Sequence, residues 1–152
     1  MLKIIKDRWN ERQDILRQKL IDGDKFNSCG YKDIVELTFD VMFNYEGAYP
    51  ALATNSITEI DDGDYQGTLL YLIPFETYQP DASRYLLTHV GYGSCSGCDT
   101  LQAIQDWSDN TLTEEQIRGF MTLCKDILVN TIKPYNYGWR EDDKFLVVED
   151  DA

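Results

Sequence analysis

The chain has 152 residues, with 14 basic side chains against 27 acidic ones, a formal net charge of −13, four cysteines and a single histidine. That length supports one domain with a real core, and the negative field argues against direct contact with nucleic acid or an anionic membrane while favouring basic protein surfaces. Met1-Leu2-Lys3-Ile4-Ile5 runs at once into Lys6-Asp7-Arg8, which is not a secretory signal, and no stretch approaches a membrane span, so a cytoplasmic protein with reduced thiols is expected.

Leu2, Ile5, Trp9, Ile15, Leu16 and Leu20 recur at roughly helical spacing before Asp22-Gly23-Asp24, which predicts an amphipathic helix over most of residues 2–20. Beyond Ser28-Cys29-Gly30, the positions Ile34, Val35, Leu37, Phe39, Val41, Met42 and Tyr45 predict a second helix of about four turns, ended by Gly47 and Pro50. The period then changes. Ile57-Thr58-Glu59-Ile60 alternates, Asp61-Asp62-Gly63-Asp64 reads as a turn, and Thr68 to Ile73 is an apolar run between Gly67 and Pro74, together a β-hairpin. A turn at Tyr78-Gln79-Pro80-Asp81 and a strand from Tyr85 to Val90 complete a three-stranded antiparallel meander.

Helical patterning returns with Asp99 or Thr100 as N-cap and Leu101, Ile104 and Trp107 on one face. It restarts at Thr113, which forms a capping box with Gln116. Ile117, Phe120, Met121, Cys124, Ile127, Leu128 and Ile132 then mark the strongest helix in the chain, stopping before Pro134. Phe145-Leu146-Val147-Val148 offers an edge strand or an extended segment between acids. The expected fold is α+β: a three-stranded antiparallel meander packed against about four helices in the order α-α-β-β-β-α-α. Residues 1–138 form a single domain, and 139–152 an acidic tail or edge strand.

The densest chemical signal is Tyr92-Gly93-Ser94-Cys95-Ser96-Gly97-Cys98-Asp99-Thr100, two thiols three residues apart in a glycine-rich turn. Three readings stand open for it. As half of a zinc site, Cys95 and Cys98 need two further ligands, and the candidates are Cys29, Cys124 and His89, none of them at knuckle spacing. As a redox pair, a helix amino terminus directed at Cys95 makes that thiol the attacking thiolate. As a junction, small residues and cysteines fill the narrow space between strand and helix. A Ser94, His89, Asp99 catalytic set lacks the nucleophile-elbow context, and no phosphate loop or dinucleotide fingerprint is present. The acids Asp61, Asp62 and Asp64, with Glu141, Asp142 and Asp143, are the expected contacts to a basic partner, and aromatic side chains among them serve as anchors.

Asp64-Tyr65-Gln66-Gly67-Thr68, the Tyr78-Gln79-Pro80-Asp81 turn and above all the run from Tyr92 through Asp99-Thr100-Leu101-Gln102 resemble small acidic proteins encoded by tailed bacteriophages and prophages. The resemblance carries no catalytic motif, cofactor or functional residue. It implies a non-enzymatic accessory protein that inhibits or modulates host machinery, nuclease-based defence included, by occluding a basic surface.

Overall fold

The computed structural model describes residues 2–64, 66–77, 84–95 and 97–133. The turn expected at Tyr78 to Asp81, the domain boundary at 138, the edge strand at Phe145 to Val148 and the acids Glu141, Asp142 and Asp143 lie outside the described residues. The elements are α1 (Lys3–Asp22), α2 (Tyr31–Phe43), a 3-10 turn (Thr54–Ser56), β1 (Thr58–Asp61), β2 (Gly67–Pro74), β3 (Tyr85–Tyr92), α3 (Thr100–Ile104) and α4 (Glu114–Val129). The strands form one antiparallel sheet in the order β1-β2-β3, the expected meander.

The sheet buries one face. Leu69, Tyr71 and Ile73 of β2 and Leu86, Thr88 and Val90 of β3 point inward and are buried, whereas Ile60 and His89 on the other face are exposed and Leu70, Leu72 and Leu87 are half-buried. The helices cover the inner face, with α4 in contact with α1, α2, α3 and β3. Thr88 on β3 donates its hydroxyl to the Ile127 carbonyl of α4 at 2.7 Å. At the helix crossing, Gly119 of α4 has no side chain where a Cβ would stand 3.1 Å from the Ile104 side chain of α3, so Ile104 packs directly onto the α4 backbone.

Helix α1 holds the end of α2. No basic residue lies in the last turn of α2, and its terminal carbonyls, which lack helical partners, are met from the neighbouring helix. Arg12 donates to Val41 O at 2.6 Å, and Arg8, buried, donates to Met42 O at 3.0 Å and Tyr49 O at 2.6 Å. Both guanidinium groups lie over aromatic rings, Arg8 at 4.8 Å from the Phe43 centroid and Arg12 at 3.7 Å from that of Tyr45. Arg17 of α1 adds an ion pair to Glu114 at the start of α4.

Four sequence expectations are corrected, and for three of them the cause is bonding that periodicity does not report. Tyr45 is not helical: α2 stops at Phe43 because Asn44 exchanges bonds with the Leu52 backbone in both directions. Trp107 does not share a buried face with Leu101 and Ile104; α3 ends at Ile104, and Trp107 is 73% exposed. The chain is diverted there by Asn27, whose side-chain oxygen accepts from Asp106 N at 2.9 Å and from Gln116 Nε2 at 2.7 Å while its amide donates to Asp109 O. Ile132 is not in α4 either, which ends at Val129; it pairs with Leu87 through two backbone bonds of 2.8 and 2.9 Å along the outer edge of β3. Ile15 in α1 is exposed rather than core-facing.

Candidate functional site

The site lies where β3 passes into α3. Tyr92 ends the strand, and the chain must reverse within a few residues to start a helix. Cys95 O accepts from Cys98 N at 3.1 Å and Asp99 N at 2.9 Å, closing the turn. Asp99 is the N-cap: one carboxylate oxygen accepts from Gln102 N at 2.8 Å and the other from Gly93 N at 2.9 Å, so a single buried side chain fixes both sides of the turn. Gly93 is required by close approach, since a Cβ there would meet Cys98 O at 2.5 Å and Cys98 Sγ at 2.8 Å.

The two sulfurs of this turn face each other. Cys95 Sγ and Cys98 Sγ are 2.7 Å apart and both residues are exposed. Backbone bonding converges on Cys98, whose sulfur accepts from Cys95 N at 3.1 Å. The contact with Cys95, followed by backbone hydrogen bonds, holds the Cys98 thiol below its usual range, which favours its ionisation.

The structure disperses the other proposed zinc ligands. Cys124 is fully buried on the inner face of α4, Cys29 is half-buried in the α1–α2 loop, and His89 is exposed on the outer face of β3. Among the described residues no three His, Cys, Asp or Glu side chains form a metal-holding group. Nor do Ser94, His89 and Asp99 converge, because His89 points away from the sheet face on which Asp99 caps its helix.

A second feature adjoins the turn. A groove of about 600 Å³ runs between the amino terminus of α2, strand β1 and the β3–α3 junction, and its walls include Glu59, Asp61, Asp99, Tyr92, Gln105 and Trp107. Glu59 and Asp61 stand on the inner face of β1, opposite Tyr71 and Leu69. Tyr71 donates its hydroxyl to Glu59 at 2.7 Å and Tyr92 donates to Asp61 at 2.6 Å. The bond to Asp61 pushes the Tyr92 phenol up to about 12, and Asp62 and Asp64 in the neighbouring turn add to the effect. Asp61, Asp62 and Asp64 are all exposed, and Asp61 lines the groove beside Tyr92. Sequence reading missed Glu59, whose alternation on β1 was the available signal, and missed Gln105, which reaches back to donate to Phe26 O and Cys29 O at 2.8 Å each.

Burial at the inner end of this groove makes the fold sensitive to base. It pushes the Cys29 thiol from 9 up to about 11 and the Tyr31 phenol from 10 up to about 12, so the folded chain keeps protons that the unfolded chain has already released. Their stabilisation is complete below those ordinary values and is lost as pH rises through the raised ones. Urea midpoints measured at stepped pH are expected to fall from near pH 9 upward in wild type. In Cys29→Ala the early part of that fall is expected to shrink; a wild-type midpoint that stays level through pH 11 overturns the assignment.

The chain matches no protein-family model, no curated protein and no solved structure.

Proposed function

We propose that the protein is a non-enzymatic accessory protein of the phage type, acting in the host cytoplasm, that binds a host protein and inhibits or modulates it by covering a basic surface. The observation that carries this reading is the groove itself, which gathers the carboxylates of Glu59, Asp61 and Asp99 and, among the described residues, has no lysine or arginine in its walls. Glu59 and Asp61 each accept from one phenol and keep lone pairs for further donors. Asp62 and Asp64 extend the same field outward, and exposed Trp107 offers a ring face to an incoming guanidinium or ammonium group. The net charge of −13 speeds encounter with such a partner and makes it salt-dependent. Nucleases of defence systems, with basic nucleic-acid grooves, are one target class of this chemistry.

The test uses a labelled oligoarginine peptide. Binding to wild type is expected to weaken with salt and to be lost in the double variant Glu59→Lys, Asp61→Lys. The control, Asp7→Lys with Asp14→Lys on the exposed side of α1, makes the same change in net charge away from the groove. If both variants lose binding equally, net charge alone is responsible and the groove reading is wrong. The wild-type and groove-variant proteins then serve as the matched pair for capture of the host partner at low and high salt.

A further inference from the structure

The dithiol turn carries chemistry that partner binding does not use. The two thiols lie in contact at the surface, 2.7 Å apart, in a turn closed by the Cys95 carbonyl and held on both flanks by the Asp99 carboxylate. Gly93, with no side chain, leaves the space that Cys98 occupies. The remaining thiols are set apart from exchange: burial pushes Cys29 up to about 11 and Cys124 up to about 12. Reaction with a disulfide requires an accessible thiolate, and closing a disulfide requires a second thiol within reach. Among the described residues only the Cys95 and Cys98 pair meets both conditions.

We propose that Cys95 and Cys98 form a reversible redox site that exchanges with small-molecule disulfides of the glutathione class. Cys98, as thiolate, attacks one sulfur of the disulfide; a bond forms between Cys98 Sγ and that sulfur, the original S–S bond breaks, and the first small thiolate leaves. Cys95, on losing its proton, attacks Cys98 Sγ, the mixed disulfide breaks, and the second small thiolate leaves. The two protons from the protein thiols end on the two released thiols. The protein dithiol is oxidised by two electrons and the small disulfide is reduced by two. The reverse sequence restores the dithiol.

The site does not depend on the groove reading, and its test is separate. The full chain is equilibrated in buffers of graded reduced to oxidised glutathione, quenched with acid, alkylated under denaturing conditions and weighed intact. A single transition is expected in which two of the four thiols become unreactive together, with no added glutathione and with peptide mapping to a Cys95–Cys98 bond. Four alkylatable thiols in the most oxidising buffer, or oxidised product consisting of covalent dimers or of single glutathione adducts, overturns the proposal. The variants test the order of attack. Cys95→Ser is expected to accumulate one glutathione at Cys98, because the resolving thiol is gone, and to do so faster than Cys98→Ser acquires one at Cys95. Equal or reversed rates overturn the assignment of Cys98 as the attacking thiol.

Discussion

Phe120→Ala is expected to lower the free energy of unfolding by about 3–5 kcal/mol, a large part of the total stability of an ordinary domain of this size. Phe120 is fully buried and meets Phe26 edge-on, ring centroids 6.2 Å apart and planes inclined at 63°. It stands on α4, the helix that touches α1, α2, α3 and β3, and Gly119 beside it already brings α3 to close range. The void left by the ring is bounded by elements that support one another, so collapse around it is limited, and the cavity adds to the lost transfer energy. Urea denaturation followed by tryptophan fluorescence measures the loss. Phe120→Leu, which refills most of the volume, is expected to lose much less, and an alanine variant within about 1 kcal/mol of wild type would place Phe120 outside the core.

Arg8→Ala is expected to cost about 2–4 kcal/mol, more than an exposed arginine would warrant, because its hydrogen bonds are charge-assisted and largely shielded from water. Its removal takes one donor from Met42 O and one from Tyr49 O and takes a cation off the Phe43 ring. Burial pulls the Arg8 pKa below its ordinary value, the expected direction for a cation taken from water, and the guanidinium still holds its proton at neutral pH. Arg8→Lys is expected to recover little, since an ammonium on a flexible stem does not reproduce a fork reaching two carbonyls from one plane. Thermal unfolding of the wild type and the two variants checks this, and full rescue by lysine would mean that charge alone matters there.

These two sites show what sequence pattern conveys and what it leaves out. The spacing of Ile117, Phe120, Cys124, Ile127 and Leu128 identifies a buried helical face directly, and Thr113 with Gln116 marks its start through bonds confined to one turn. The meander is legible for a similar reason, because short loops join neighbouring strands. Arg8 is different. Nothing local separates it from Arg17 on the same helix, and its role depends on where the carbonyls of α2 arrive. Trp107 and Ile132 fit a helical period yet leave their helices, since Asn27 and Leu87, distant in the chain, supply competing bonds. The dithiol turn was visible because its two cysteines are three residues apart. The groove was not, because Glu59, Tyr92, Asp99 and Gln105 come from segments that only the finished fold places side by side.

The outer margin of β1 has a further consequence. Asp62 N bonds to Thr68 O, and in an antiparallel ladder the bonded positions alternate, which directs the backbone groups of Glu59 and Asp61 away from β2. Among the described residues nothing pairs with this margin, and a free sheet edge is a template on which a second copy can lengthen the sheet and begin an aggregate. Here any such pairing brings carboxylates of one copy against carboxylates of the next, and like charges across a ladder destabilise it. Glu59 and Asp61, which line the groove, thus also serve as gatekeepers, opposing edge-to-edge joining of identical molecules.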